Sequence, residues 1–485
     1  MNMEIRKNFL LYTTCTVFIN TYMISECSAE NRTKRPNVIL INTDDLAWGD
    51  LSCYGGKLIK TPNIDRLASE GIRFTDGYVS APVSGASRVG LLTGVYQQRY
   101  GMQWNHDQWI KDKKMISEND KQIQTAFKEG GYITAMAGKI GIKDDQPFDK
   151  YYSFAFNGVN YFPDENGFYA GVDEKISGKK KSVDKGYMWG LERKGTEYLT
   201  DRCGRQCIEF IEENKDGSKP FFFYLSFNAP HSPFQAKKSD RNRVKNIKSE
   251  MAKLYYAMVL AVDDNVGKIV DYLDKEGLRE NTIIVFLSDN GPANPIHLKI
   301  PTDWDKNSPY HIMGQRGGLN GCKGTIWEAG IRIPFIISWK GQLQEGVTYI
   351  NQVSTLDLYP TLCAATFTKI PDGKKLDGVN LLPYLKGGDY DEPHKHLFWY
   401  ANRMGAVRMG KWKMLIENDR HYLFDLDVDK GETKNVMMKN PNIMREMLDA
   451  YFKFRNEMPA YRNPFVRPID IPDDAVKDLP ILAPQ

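Results

Sequence analysis

Cysteine is scarce in this chain, which has 7 cysteines among 485 residues. Cys15 and Cys27 lie near the start, and the others are scattered, a pattern that argues against a disulfide framework. Cys203 and Cys207 are spaced as i, i+4 in a segment with helical periodicity, so they are either half of a metal site or two small apolar groups. No second Cys or His pair follows at ligand spacing, and we therefore expect both thiols in the core.

The chain also lacks a large excess of charge, internal repeats and low-complexity segments. Its formal net charge of +4 at pH 7 is small for this length, so the composition does not indicate a nucleic-acid-binding protein. With 7 histidines and no His-rich cluster, it lacks the ligands that a two-metal site requires. A chain of this length can form one large domain with a smaller one attached.

Residues 1–29 have the pattern of a secretory signal peptide. A basic start precedes an apolar run near Phe9–Ile19, and the small residue Ala29 follows. The run is too short and too polar for a stable membrane span, so we expect an exported protein, periplasmic or extracellular. A lipid anchor on Cys27 is the less favoured alternative, because Glu26 stands where a lipobox has a small residue.

Short apolar runs alternate with helical periodicity through most of the chain. Five runs predict buried strands at 37–42, 132–137, 221–227, 282–288 and 333–339. Helical patterns lie between them at 63–71, 121–131, 198–214 and 250–277. This alternation predicts an α/β fold with a large mixed, mainly parallel sheet flanked by helices.

The pattern changes after about residue 388. Residues 396–431 read as short strands joined by tight turns, and a helix is predicted at Pro441–Phe454, before a proline-rich tail. We therefore expect a large α/β domain over 34–388 and a smaller antiparallel-sheet subdomain over 389–485. Within the first, the long irregular excursion Ala293–Leu319 is of a size that often carries function.

Acidic and amide side chains directly follow two of the predicted strands. Asp44 and Asp45 come after the first strand, and Asp289 and Asn290 follow the fourth in the string SDNG. Ligands collect at the carboxyl ends of strands in an open α/β sheet, so we expect these side chains to meet there. Their oxygens suit a hard divalent cation, and calcium accepts irregular oxygen cages more readily than magnesium. Taken singly, the pairs could equally be a helix cap and a turn.

Four cationic or titratable side chains lie beyond predicted strands or in short loops. They are Arg88 in SGASR, Lys139 in AGK, His231 in NAPHSP and Lys323 in GCKGT. Each alone would more often be an ordinary surface or loop residue. Together they offer what transfer of an anionic group between two oxygens needs, namely cations for its non-bridging oxygens and a proton for the leaving group.

The segment Ser80–Gly94, SAPVSGASRVGLLTG, resembles the signature from which sulfatases build their nucleophile. That signature is a Cys or Ser followed by x-(Pro/Ala)-Ser-Arg and then by Leu-x-Thr-Gly. From Pro36 to about Val436 further strings follow in the order found in the sulfatase family, within the alkaline phosphatase superfamily. They include NVILINTDDLAWGDLSCYG, TPNIDRLASEGIRFTDGY, NAPHSP, DDNVGKI, SDNG, GCKGT and YLFDLDVDKGETKN.

The resemblance implies a serine-type sulfatase in which a maturase oxidises Ser84 to formylglycine. The hydrate of this aldehyde carries two hydroxyls on one carbon, so that one attacks sulfur and the other expels sulfate by collapsing to the aldehyde. The resemblance also implies a bound calcium ion. Its ligands would be Asp44, Asp45, Asp289, Asn290 and the modified Ser84.

Roles for the remaining site residues are implied by the same resemblance. Arg88 and Lys139 would stabilise the formylglycine hydrate, and Asp289 would help to activate its attacking hydroxyl. His231 and Lys323 would engage the sulfate and the leaving oxygen, with His231 as the proton donor.

Position 141 departs from the family pattern. The family has Lys-x-His where this chain reads Lys139-Ile140-Gly141, and that His is the base for eliminating sulfate. Either another group supplies the base, with His106 and His311 as candidates, or elimination is slow, or the protein does not turn over. General-base assistance is worth about 10²–10⁴-fold, so its loss need not be fatal.

The favoured function is hydrolysis of a sulfate ester on a carbohydrate, using calcium and formylglycine. Aromatic and polar side chains in predicted loops are candidates to contact the sugar, or else are loop anchors and solvent-facing groups. These candidates are Trp104, His106, Trp109, His297, Trp304, His311 and Arg316.

Two other functions remain open from the sequence. Unmodified Ser84 could act as the nucleophile of a phosphomonoester or phosphodiester hydrolase. Alternatively, the missing His at position 141 would suit a non-catalytic binder of sulfated glycans. The retained carboxylates and Lys323 argue against the binder, because binding alone does not need a complete set of groups around a nucleophile.

Overall fold

The computed structural model describes most of the chain between Arg35 and Pro459. It covers residues 35–105, 116, 120–141, 147–155, 159–163, 196–293, 314–388, 391–401, 403–418 and 420–459. The predicted signal peptide, the proline-rich tail and most of the excursion Ala293–Leu319 lie outside these residues.

Strands and helices alternate along the described part of the chain up to about residue 388. The strands are β1 Asn37–Thr43, β2 Ile72–Phe74, β3 Gly77–Tyr78, β4 Ile133–Lys139, β5 Lys150–Ala155, β6 Phe221–Ser226, β7 Thr282–Ser288, β8 Phe335–Ser338, β9 Val347–Tyr349, β10 Val353–Ser354, β11 Leu397–Ala401, β12 Met404–Met409, β13 Trp412–Glu417 and β14 Arg420–Asp425. The helices are α1 Pro62–Ser69, α2 Ser84–Thr93, α3 Ile123–Glu129, α4 Leu199–Asn214, α5 Lys238–Arg243, α6 Glu250–Lys275, α7 Glu328–Ile331, α8 Leu358–Ala365, α9 Leu382–Leu385 and α10 Pro441–Asn456.

The central sheet has eight strands in the order β5-β4-β6-β1-β7-β8-β2-β9. The first five in this order are parallel to one another, whereas β8 is antiparallel to both of its neighbours. Asn42 pairs with Ser226 of β6, and Thr43 pairs with Ser288 of β7, so three strands end at one edge. The predicted mixed, mainly parallel sheet is confirmed.

Both faces of the sheet are buried. In β1, Val38 and Leu40 pack into one hydrophobic cluster, whereas Ile39 and Ile41 pack into another on the opposite face. This alternation follows from the period of two in a strand, and a sheet covered on both faces needs apolar side chains at every position. Helix α2 contributes to the first cluster, and α4 and α6 contribute to the second.

The two cysteines of α4 lie in the core. Cys203 and Cys207 are 1% and 0% exposed and belong to the cluster beneath α4 and α6. Both are free thiols. The expectation of core packing is therefore confirmed, and the i, i+4 spacing places both on the inner face of the helix.

A second sheet follows the α/β region. Strands β11, β12, β13 and β14 pair in sequence order, all antiparallel, and α10 packs against them. This is the antiparallel sheet predicted after residue 388, and the helix predicted at Pro441–Phe454 extends to Asn456. None of the helices in the described ranges is long and apolar enough to cross a membrane.

Candidate active site

The predicted acidic group forms at the carboxyl edge of the central sheet. Asp44, Asp45, Asp289 and Asn290 are at most 1% exposed. The backbone N–H of Asp45 donates to Asp289 Oδ1 at 3.3 Å, and Asn290 Nδ2 donates to Asp45 Oδ1 at 2.7 Å. Asp45 has a φ of 66°, a left-handed conformation that turns the chain directly after Asp44 and that Asp tolerates better than most residues.

Ser84 lies over this group because it is the first residue of α2. Its hydroxyl oxygen is 3.2 Å from Asp44 Oδ1 and 3.0 Å from Asn290 Oδ1. The N–H of Gly85, unpaired within the helix, donates to Asn105 Oδ1 at 2.6 Å. The helix N-terminus adds partial positive charge where an anionic group attached to residue 84 would lie.

Arg88 lies one helical turn after Ser84 and is fully buried. Its Nε and Nη2 are 2.9 and 2.7 Å from Asp289 Oδ2. Its Nη1 donates to the carbonyl of Lys139 at 2.8 Å and also contacts Tyr224 and Ser226. These contacts fix the position of the guanidinium.

Two lysines pair with the other two carboxylates. Lys139 Nζ forms an ion pair with Asp44, and Lys323 Nζ is 2.7 Å from Asp45 Oδ1. With Arg88 on Asp289, three cations therefore balance three carboxylates. A bound dication would leave this site with a net charge of about +2, which suits a sulfate group in transfer.

Burial and neighbouring charges move the pKa values of two carboxyls in opposite directions. Burial alone would raise the pKa of Asp44, but Lys139, His231 and Arg88 outweigh it and hold the pKa well below its usual range. Burial, reinforced by the charge of Asp44, raises the pKa of Asp289 to about 6. Asp44 is therefore the more acidic carboxyl of the pair, and a cation bound beside Asp289 would lower the pKa of Asp289 again.

His231 follows β6 and faces the acidic group. Its Nδ1 lies 2.6 Å from the carbonyl of Ser232, and its Nε2 lies 3.6 Å from Asp45 Oδ2. The carbonyl can only accept a hydrogen bond, so Nδ1 carries the hydrogen, and Nε2 is the atom that can take up and release a proton towards the site. Burial lowers the pKa of His231.

The residues present fit a hard divalent cation. The converging groups are carboxylate, amide and hydroxyl oxygens, and Asp45 Oδ2 is buried without a hydrogen-bond partner. Within the described residues, one group of three His, Cys, Asp or Glu side chains could hold a metal, and it consists of Asp44, Asp45 and His231. A cation here would satisfy the unpaired oxygen of Asp45.

The structure shows what occupies the space at position 141. Gly141 has a φ of 70°, and a Cβ built on it would lie 2.8 Å from Cδ of Arg88. A histidine at this position would therefore require both backbone strain and displacement of Arg88. The substitute bases suggested by the sequence, His106 and His311, lie outside the described residues.

Of the candidates for sugar contact, the structure describes two. Trp104 is 5% exposed and packs in the core cluster that contains α2, so it is an anchor without a face open to a sugar. Arg316 is partly exposed, and its Nη1 donates to the carbonyl of Gly321 at 3.2 Å, in the loop that carries Lys323. The others lie outside the described residues, namely His106, Trp109, His297, Trp304 and His311.

Sequence reasoning missed three residues that support the site. Tyr224 and Ser226 hold Arg88 from β6, and Asn105 receives the N–H of Gly85. A signal for the first two existed, because they are polar side chains two apart, and therefore on one face, in an otherwise apolar strand. No local sequence pattern indicates Asn105, because only the tertiary structure brings it into contact with α2.

The chain is similar in sequence and in structure to known sulfatases and to related proteins. The family model described as Sulfatase matches residues 36–368. The uncharacterized sulfatase YdeN of Escherichia coli is 31% identical over 406 residues, covering 76% of this chain and 69% of that protein. N-acetylgalactosamine-6-O-sulfatase of Bacteroides thetaiotaomicron is 28% identical over 495 aligned positions, covering 85% and 92%. The crystal structure of Ps i-CgsB in complex with k-i-k-neocarrahexaose is similar with a TM-score of 0.75 at 33% identity, covering 88% of this chain and 94% of that chain.

The helix-covered sheet, with its acidic group at the carboxyl edge, defines a hydrolase of the alkaline phosphatase superfamily. Within that superfamily the chain belongs to the sulfatase family, the sulfuric ester hydrolases.

Proposed function

We propose that this protein is an exported sulfatase that hydrolyses a sulfate ester on a carbohydrate, with a nucleophile made from Ser84 and a bound calcium ion. The observation that carries the proposal is the position of Ser84, at a helix N-terminus and within 3.2 Å of both Asp44 and Asn290. We also propose residues 1–29 as its signal peptide and residue 388 as the end of the catalytic domain.

The substrate class follows from what similar proteins act on or bind. One relative is named for a 6-O-sulfate on N-acetylgalactosamine, and the similar crystal structure holds a neocarrahexaose. We therefore propose a sulfated glycan or glycan fragment as the substrate. The balance of charges in the site supports this, because a bound dication leaves it positive towards a sulfate ester.

The protein groups orient the reaction and handle its protons. Formylglycine, once formed, supplies a carbon with two hydroxyls, and calcium supplies positive charge beside the attacking oxygen. Arg88 and Lys139 hold residue 84 and its carboxylate neighbours in place. Asp289 receives the proton of the attacking hydroxyl.

Lys323 and His231 lie on the open side of the same group. The side chains of both are 19% exposed. We propose that the sugar reaches the site from this side. Lys323 stabilises the charge of the sulfate oxygens in transfer. His231, once protonated on both ring nitrogens, gives the proton on Nε2 to the leaving alkoxide oxygen, while its Nδ1–H donates to the carbonyl of Ser232.

Calcium is expected to stabilise the folded protein. A ligand at about 100 times its Kd raises the free energy of unfolding by about 2.7 kcal/mol. After chelator treatment, calcium should therefore raise the midpoint of thermal unfolding, and magnesium at the same concentration should raise it less. Asp45→Asn should reduce the calcium shift, because the amide has no negative charge and only one oxygen to offer the cation. An equal midpoint with and without calcium would argue against the metal.

Conversion of Ser84 is expected in protein made in its native host or beside a serine-specific maturase. The tryptic peptide Phe74–Arg88 should then be lighter by two hydrogens in mass spectrometry, and unmodified protein provides the reference mass. An unchanged peptide despite an active maturase would shift support to phosphate ester hydrolysis by Ser84 itself or to glycan binding. Sulfate release from a panel of sulfated mono- and oligosaccharides, against matched phosphate esters, decides between these functions.

A further inference from the structure

A cluster of fully buried charged side chains lies behind the loop that carries Lys323, and the proposed reaction does not use it. The side chains of Glu328, Lys413 and Glu432 are 0% exposed. Glu328 begins α7, shortly after Lys323, whereas Lys413 belongs to β13 and Glu432 follows β14. Two of the three charges therefore come from the C-terminal sheet.

These charges form a continuous set of contacts. Lys413 Nζ is 2.9 Å from Glu328 Oε1 and 2.7 Å from Glu432 Oε1. Glu432 Oε2 accepts the backbone N–H of Glu328 at 2.7 Å. Glu328 Oε2 in turn lies 2.9 Å from the Tyr78 hydroxyl and 3.2 Å from Arg332 Nη1. Helix α7 is thus held at its first residue by both its side chain and its backbone.

Helix α7 contacts two of the segments that supply the active site, namely the Lys323 loop and the segment that follows Asn290. The N–H of Ala329 donates to the carbonyl of Asn320 at 2.7 Å, at the start of the Lys323 loop. The N–H of Gly291, the residue after Asn290, donates to the carbonyl of Gly330 at 3.1 Å. A shift of α7 therefore moves the backbone next to Asn290 as well as the loop.

The backbones of α7, of the Lys323 loop and of the segment after Asn290 are in close contact. A Cβ on Gly291 would lie 1.6 Å from the carbonyl oxygen of Ala329, and one on Gly330 would lie 2.5 Å from that of Cys322. The contacts at this junction are backbone to backbone, so a movement of α7 is transmitted to Lys323 instead of being absorbed by a flexible side chain.

We propose that Lys413 and Glu432 are positioning residues for sulfate ester hydrolysis, which they support by holding α7 and, through it, the Lys323 loop. The inference rests on the proposed function, since Lys323 is assigned to the sulfate oxygens there. Neither residue touches the site. The C-terminal sheet is on this view a part of the catalytic unit.

Glu432 is a better position for a test than Lys413, because its substitution removes fewer of the contacts in the cluster. Glu432→Leu removes the acceptor for the Glu328 N–H but leaves Lys413 paired with Glu328. Glu432→Gln keeps an acceptor oxygen at the same place and is the matched control. Burial already raises the pKa of Glu432 to about 7, so the neutral amide is a close mimic.

Activity is the first measurement. A displacement of about 1 Å in a positioning element can cost about 10²-fold, so Glu432→Leu should lower kcat/KM by about 10- to 100-fold, and Glu432→Gln by less than about threefold. Added to Lys323→Ala, Glu432→Leu should cause a smaller loss than it causes alone, because its effect on the Lys323 ammonium group is then already absent. Losses that multiply in the double variant, or full activity in Glu432→Leu, would overturn the proposal.

Hydrogen exchange gives a readout that does not depend on turnover. Glu432→Leu should speed exchange of the amides of Lys323, Gly324 and Ala329, whereas the amides of β1 should exchange as in the unsubstituted protein. Unchanged exchange at these three amides would contradict the positioning role. If the unsubstituted protein releases no sulfate from any ester, the proposed function fails, and exchange still decides whether Glu432 holds the loop.

Discussion

Ser84→Ala is expected to abolish sulfate release. Removal of a nucleophile from a preorganised site costs about 10⁴-fold or more in kcat, because the remaining groups can only bind and polarise the ester. The fold should survive, since alanine is a good helix former at the first residue of α2 and the lost hydroxyl contacts are worth about 0.5–1.5 kcal/mol each. Sulfate release by ion chromatography, with near-ultraviolet circular dichroism as the folding check, measures both effects.

Ser84→Cys is the matched control for this prediction. When it is produced together with a maturase that accepts cysteine, Ser84→Cys should release sulfate as the unsubstituted protein does, because the same formylglycine results from either residue. Activity in Ser84→Ala, or none in a Ser84→Cys protein whose peptide shows full conversion, would remove Ser84 from the nucleophile role.

Lys323→Ala and Asp289→Ala are the second pair of variants with large expected effects, and they should differ in stability. From the sequence alone, each is expected to abolish sulfate release while leaving the fold intact. The side chain of Lys323 is 19% exposed, and Asp45 is the carboxylate it contacts. Its loss should therefore lower kcat by about 10²–10³-fold, as for one oxyanion-stabilising donor. Stability should fall less than in Asp289→Ala, because Asn290 Nδ2 still donates to Asp45 Oδ1 at 2.7 Å.

Asp289→Ala should also destabilise the protein. Asp289 is paired with Arg88, and both side chains are 0% exposed, so the substitution leaves a buried guanidinium without its carboxylate. Breaking one side of a buried ion pair costs about 3–5 kcal/mol. Asp289→Asn is the matched variant, because its amide oxygen can still accept from Arg88. Thermal unfolding compares the three, and equal midpoints for Asp289→Ala and Lys323→Ala would contradict the prediction.

The fold could be predicted largely because its signals are local. Strands β1, β6 and β7 are largely apolar runs, as expected for strands buried on both faces. Helix α6 shows the 3.6-residue period towards its end, where Val266, Ile269, Val270 and Leu273 are buried. The prediction that carboxylates after two such runs would meet was also correct, since parallel strands place their carboxyl ends at one edge.

The supporting contacts of the site could not be predicted in this way. Arg88 reaches Tyr224 and Ser226 across 136 and 138 residues of chain, and Lys413 reaches Glu328 across 85. Nothing in the sequence near any of these residues indicates its partner. The burial of Trp104 was likewise invisible, because a tryptophan in a predicted loop has the same local pattern whether it anchors the loop or faces a sugar.

The sequence by itself therefore determined the order of strands and helices, the sulfatase-like segment that carries Ser84 and the residue types at the strand ends, because these depend on short-range periodicity and on contiguous motifs. Only the tertiary structure decided which cation pairs with which carboxylate, that Arg88 lies where a side chain at Gly141 would begin, and that Lys413 of the C-terminal sheet pairs with Glu328 of α7. These are contacts between distant parts of the chain, and close packing alone brings their atoms within reach of one another.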